Sequence, residues 1–166
     1  STLLASSAAS DVYKRQVDEF EKFNFDEAHI SGIEIKSGHV FLYLDNVMIA
    51  ADNSCNRDIR EMRTNDLVLK LQDGVVTSFV KEGVKVYNAD GVFQREIPDE
   101  IIPVDKYQET FDLLADKYML EATVKRDEIA GENVYEFEIE YEEFSYLLVV
   151  KANHDTQEWD RFMNKE

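Results

Sequence analysis

Carboxylates are the side chains in this sequence whose types and spacing could do chemistry. The stretch YEFEIEYE, residues 135–142, alternates apolar and acidic positions without a break. On a strand, residues two apart point the same way. Tyr135, Phe137, Ile139 and Tyr141 then share a core face. Glu136, Glu138, Glu140 and Glu142 share a solvent face, about 6.8 Å apart along the strand. Glutamate is depleted in strands, and these charges lie within one Debye length of about 8 Å. Screening keeps each repulsion to some tenths of a kcal/mol, yet four such costs in one place call for a reason. A solvated face that keeps an edge from aggregating is one, although lysine or threonine would serve as well. An electrostatic docking surface for a basic protein is a second, and it accounts for the single sign. A divalent-cation site is a third. Calcium needs six to eight oxygens around one point, which a straight strand does not gather, and the sequence has no D-x-D-x-D-G loop.

Other chemistry has little support. His29, His39 and His154 are isolated and lack metal-motif spacing. His29 and His39 flank one hairpin and could approach each other, but two ligands make no zinc site. Cys55 could in principle pair with a histidine as a nucleophile, but a lone cysteine in a polar loop is more often incidental. There is no G-x-S-x-G, no P-loop and no G-x-G-x-x-G. The expectation is a non-enzymatic protein with no catalytic residue, no metal and no cofactor, whose partner-binding residues are Glu136, Glu138, Glu140 and Glu142.

Composition narrows the partners. The 166 residues carry 18 basic and 35 acidic side chains, a net charge of -17. That balance repels nucleic acid and anionic membranes, whose binders need a basic footprint. It attracts basic proteins and speeds encounter with them, so the partner expected is a basic protein: a toxin or a nucleic-acid enzyme. The acid is uneven, since residues 99–166 hold nineteen acidic and seven basic side chains. A single cysteine cannot form an internal disulfide, which suits a reducing, cytoplasmic setting. No apolar run approaches the roughly 20 residues of a membrane-spanning helix.

The elements that must position the carboxylates read as follows. Residues 17–23 form a short helix with Phe20 and Phe23 on one face. Strands at 29–36 and 40–49 are joined by a tight turn at Ser37 and Gly38. Val40, Leu42 and Leu44 form one face of the second, and Phe41 and Tyr43 the other, so it is central or covered. The polar segment 52–63 carries Arg57, Arg60 and Arg63 at helical spacing. Strands at 65–71 and 75–80 are separated by a turn at Asp73 and Gly74, and 84–87 and 92–97 by a hairpin turn at Asn88 to Gly91. Residues 105–118 give the strongest helix, with Tyr107, Phe111, Leu114 and Tyr118 on one face and Asp105 as its cap. The hairpin 119–126/134–141 and a buried strand at 145–151 follow. Residues 155–165 close as a helix with Asp155 as its cap and Trp159, Phe162 and Met163 on one face. The predicted fold is α+β: a mostly antiparallel sheet of eight to nine strands in hairpins, with two main helices packed on it.

Residues 1–16, STLLASSAASDVYKRQ, are Ser/Ala-rich and lack the basic n-region of a signal peptide. The string resembles translated sequencing-adaptor sequence, which leaves residues 17–166 as the single domain. The order of segments in that domain resembles small bacterial immunity proteins of polymorphic-toxin systems. Several such families enter their first strand through F-[HD]-[DE]-x-x-I, matched here by Phe25, Asp26, Glu27 and Ile30. The resemblance implies a cytosolic inhibitor that neutralises a toxin, such as a nuclease, by binding it. Two alternatives share the composition. One is a phage or mobile-element inhibitor of a nucleic-acid-binding defence enzyme, and the other is a small-ligand-binding β-rich domain.

Overall fold

The computed structural model describes residues 14–56 and 60–160. Period-two alternation governs most of the strands, and the described residues form fifteen antiparallel strands, one short α-helix and two 3-10 turns. One five-stranded sheet is built from β1 (Lys14–Val17), β3 (His29–Lys36), β4 (His39–Asp45), β7 (Leu67–Gln72) and β15 (His154–Trp159), in the order β1-β15-β7-β4-β3. The second contains β8 (Val75–Glu82), β11 (Glu100–Ile101), β12 (Met119–Asp127), β13 (Glu132–Tyr141) and β14 (Phe144–Ala152), in the order β11-β8-β14-β13-β12. β2 (Phe23–Asn24), β5 (Val47–Ile49) and β6 (Met62–Thr64) make a small third sheet. β9 (Val84–Tyr87) and β10 (Phe93–Ile97) form a separate two-stranded arm.

The two large sheets are continuous on one side. β14 pairs with β8 from Ser145↔Glu82 to Lys151↔Val75, and β15 takes up β7 at His154↔Gln72. Two long strands therefore run side by side through both sheets and bend together, which is how corners are made between packed sheets. Asn153 holds the bend: its amide donates to the Gln72 carbonyl at 3.0 Å and its side chain to Asp73 at 2.9 Å. Gly74 is needed there, because a Cβ on it would lie 2.9 Å from the Leu71 carbonyl and 3.0 Å from Val40. On the other side the start of β3 meets the start of β12. His29 bridges to Tyr118, Ile30 donates to the Lys117 carbonyl, and Met119 to that of Ala28. Joined on both sides, the sheets close as a flattened barrel around one core.

That core follows the alternation. Val40, Leu42 and Leu44 of β4 and Leu67, Leu69 and Leu71 of β7 face Phe79, Phe137, Leu148 and Val150 of the second sheet, all but fully buried. Phe20, Phe23 and Phe25 pack an aromatic cluster against Tyr135, Phe137 and Trp159. The one α-helix, α1 (Tyr107–Leu113), buries Phe111 against Phe79, their rings 5.2 Å apart.

Among the described residues the two main helices expected are not present. The segment read as a closing helix is β15 as far as Trp159; Phe162 and Met163 lie outside the described residues. Asp155 is no helix cap there but a buried hydrogen-bond acceptor. The helix expected over 105–118 shrinks to a 3-10 turn, Val104–Lys106, and α1. Asp116 at φ 67° ends it, and Lys117 to Met119 are drawn into the seam with β3. Within residues 17–23 the helical part is only the 3-10 turn Phe20–Lys22, between the end of β1 and the start of β2, although Phe20 and Phe23 are both buried. Asp73 and Gly74 bend a strand rather than reverse it. Arg63 sits on β6, not on a helical turn, and Arg57 lies outside the described residues. His29 and His39 stand at opposite ends of the β3–β4 hairpin, opposite Asp45 and Lys36 respectively. The described fold starts at Lys14, since Lys14 to Val17 pair with β15 and Gln16 is buried.

The tight turns are where the sequence placed them. Ser37 and Gly38 both adopt positive φ between Lys36 and His39. Asn88 accepts the amides of Asp90 and Val92 at the tip of the arm.

Candidate functional site

The acidic strand is β13, and it lies inside its sheet, between β12 and β14. Its apolar positions fill the barrel: Tyr135, Phe137 and Ile139 are fully buried. Glu136, Glu138 and Glu140 therefore stand on the outer face, the first two half-buried and the third exposed. Glu142 does not continue the row. It adopts φ 54° in the β13–β14 turn, just beyond Tyr141, and is exposed there.

Cross-strand register brings in carboxylates that the one-strand reading missed. Glu121 of β12 pairs directly with Glu138, and Glu82 of β8 pairs with Ser145, the partner of Glu140. Like charges directly opposite on a sheet repel. The Ser145 hydroxyl, placed between two of them, reaches Glu82 at 3.1 Å and Glu138 at 3.4 Å. Burial first, and then the neighbouring Glu82 carboxylate, push Glu138 above the ordinary glutamate value, with Glu121 adding to the rise and Ser145 opposing it. A shallow depression of about 110 Å³ lies between Glu121, Thr123, Glu136, Glu138 and Leu147. None of Glu82, Glu121, Glu136, Glu138 and Glu140 makes an ion pair among the described residues. The opposite end of the face differs: Lys125 and Lys151 flank Val134, and Lys151 pairs with Glu132. The single-sign patch is therefore confined to one end of the face.

The other polar constellation centres on a buried carboxylate and reaches the surface at Glu21 and His154. Asp155, with no exposed surface, accepts the Tyr135 hydroxyl at 2.5 Å, Arg126 at 3.0 Å, Gln157 at 2.5 Å and the Phe20 amide at 3.0 Å. Arg126 also forks onto Glu21, at 2.6 and 2.5 Å. Asp18 accepts the Asp155 amide and contacts His154. The Arg126 fork holds Glu21 below the ordinary carboxylate value, and Glu21 in turn raises Arg126. Burial, followed by the bond to Asp155, pushes the Tyr135 hydroxyl up. Every charge here has a partner, so the network fastens β1 and the Phe20–Lys22 turn to the barrel. Sequence reading missed it because its members are scattered from residue 18 to residue 157. The only local signal was the alternation of Asp155, Gln157 and Trp159.

His29 lies between Asp45 and Asp116, at 3.3 and 3.2 Å, beside the Tyr118 ring. Ser31 also donates to Asp45, not to His29, so this is no nucleophile–base pair. Among the described residues no group of three or more His, Cys, Asp or Glu is placed to hold a metal ion. No family model, curated protein or solved structure matches the chain. No helix among the described residues is long and apolar enough to cross a membrane.

Proposed function

We propose that the protein is a non-enzymatic, immunity-like inhibitor acting in the cytoplasm, whose acidic outer face docks on the basic cleft of a toxin. The observation that carries this reading is the contrast between two sets of carboxylates. Glu21 and Asp155 are matched to Arg126, whereas Glu82, Glu121, Glu136, Glu138 and Glu140 are gathered on one sheet face and left without a cation. Repulsion retained on a rigid scaffold is available to be relieved by a partner.

A nuclease fits the spacing. Its cleft already binds a chain of phosphates, and carboxylates about 6.8 Å apart along β13, with Glu121 directly across from Glu138, present a short anionic lattice of one row and one cross-strand pair. The sheet holds that lattice preformed, which lowers the ordering cost of association. The test is affinity capture from a host lysate with the wild-type chain and with a Glu82, Glu121, Glu138, Glu140→Lys variant, at low and high salt. The reading requires a basic partner retained by wild type at low salt, released at high salt and not retained by the variant. Equal retention by both proteins would show the face to be uninvolved.

A further inference from the structure

Two carboxylates on the outer face share one hydroxyl. The Ser145 oxygen stands 3.1 Å from Glu82 and 3.4 Å from Glu138. It carries a single proton, so it can donate to only one of them at a time. Glu121 faces Glu138 from β12, and Glu136 and Glu140 flank it on β13. The uncharged neighbours around the depression beside it are Thr123 and Leu147. No cation among the described residues pairs with these five glutamates. Lys125 and Lys151 stand opposite Val134, about 13 Å along the strand from Glu138 and beyond a Debye length of about 8 Å. Lys81 and Lys117 lie instead over the Phe144 and Tyr141 rings. The cluster is one positive charge short at Glu138, and either a proton or an external cation can supply it.

Resting on the docking reading above, we propose that a proton on Glu138 and a cationic group of the partner compete for the same carboxylate, so that acid releases the partner. Each relieves the same repulsion. A protonated Glu138 is neutral and donates within the cluster, whereas a guanidinium is matched best when the carboxylates around it are ionised. Burial first, and then Glu82, raise Glu138 above the ordinary 4.5, while Ser145 opposes the rise. The sign follows from linkage. The free face keeps this proton up to the raised value, and the docked face, paired with a cation, loses it at lower pH. Between those limits docking expels the proton. Affinity then falls as pH falls, by at most about tenfold per pH unit for a single proton.

Calorimetry of the full chain with an oligo-arginine peptide tests this. Titrations run at low salt between about pH 5 and pH 7, in pairs of buffers that differ in ionisation enthalpy, count the protons exchanged. Guanidinium does not titrate in that range, so the protons counted come from the protein. We expect release of up to about one proton per docked peptide toward the acid end and none at pH 7. Glu138→Gln should bind without that release. Glu82→Gln, which removes a cause of the rise, should move the release to lower pH, and Ser145→Ala to higher pH. Binding without proton release, or release unchanged in Glu138→Gln, would overturn this inference and leave the docking reading standing. No binding to the outer face at any pH would overturn both.

Discussion

The Tyr135 hydroxyl donates to the Asp155 carboxylate at 2.5 Å inside the barrel. One residue belongs to the core face of the acidic strand and the other to the long strand that bends between the sheets. Their bond ties the orientation of β13 to the corner. Because Tyr135 is pinned inward, Glu136 and Glu138 must point outward. The buried network and the exposed patch are thus two faces of one strand.

Removing the acceptor should cost far more than a surface change. Asp155→Ala leaves the Arg126 charge half-matched and the Tyr135 hydroxyl and Phe20 amide without an acceptor. Breaking a buried pair in this way costs about 3–5 kcal/mol, or roughly 6–20 °C in melting temperature for a chain of this size. Tyr135→Phe, which removes one donor only, should cost about 1–3 kcal/mol. Thermal unfolding of the two variants beside wild type checks both the size and the order.

Glu138 makes the opposite prediction. Its value is raised above the ordinary 4.5, so the folded chain binds this proton more tightly than the unfolded chain does. Its contribution to stability therefore falls as pH rises from the ordinary value through the raised one. Glu138→Gln should stabilise the protein at neutral pH by some tenths of a kcal/mol, since the site is only partly buried, and should have no such effect at pH 4. Glu21, held below the ordinary value by Arg126, contributes stability that is present at neutral pH and lost as pH falls through its lowered value. Urea titrations of Glu138→Gln and Glu21→Gln across pH 3–8 separate the two signs.

Gly74 and Gly83 should not tolerate alanine. Gly74→Ala drives a methyl into the corner, against Leu71 and Val40, and Gly83→Ala drives one onto the Ile97 carbonyl. Overpacking of this kind costs about 1–3 kcal/mol. Gly38→Ala, with nothing within 4 Å of its Cβ, is strained only by its positive φ and should cost about 1 kcal/mol. Melting temperatures of the three variants give the ranking.

The local alternation of the acidic strand, the tight turns and the inward apolar rows were legible because they depend on period two and on turn chemistry alone. The two-helix architecture was misread where tertiary pairing overrode local pattern. Asp155 looked like a cap because its burial depends on Arg126 and Tyr135, which no window around it contains. The helix over 105–118 lost its last turn to the seam, because Tyr118 pairs with His29, 89 residues away. At Asp73 and Gly74 a bend and a reversal have the same residue signature, and only the partner strand distinguishes them. The patch was legible along β13 but not across it, since Glu82 and Glu121 join it through register.

The most direct test of the docking face is an NMR titration of the isotope-labelled chain with an oligo-arginine peptide at low salt. A docking face of the kind described requires amide shifts concentrated on the outward residues of β8, β12, β13 and β14 around Glu138, abolished by added salt and by Glu138, Glu140→Lys. Shifts spread evenly over the acidic surface, or centred on the opposite sheet, would contradict it.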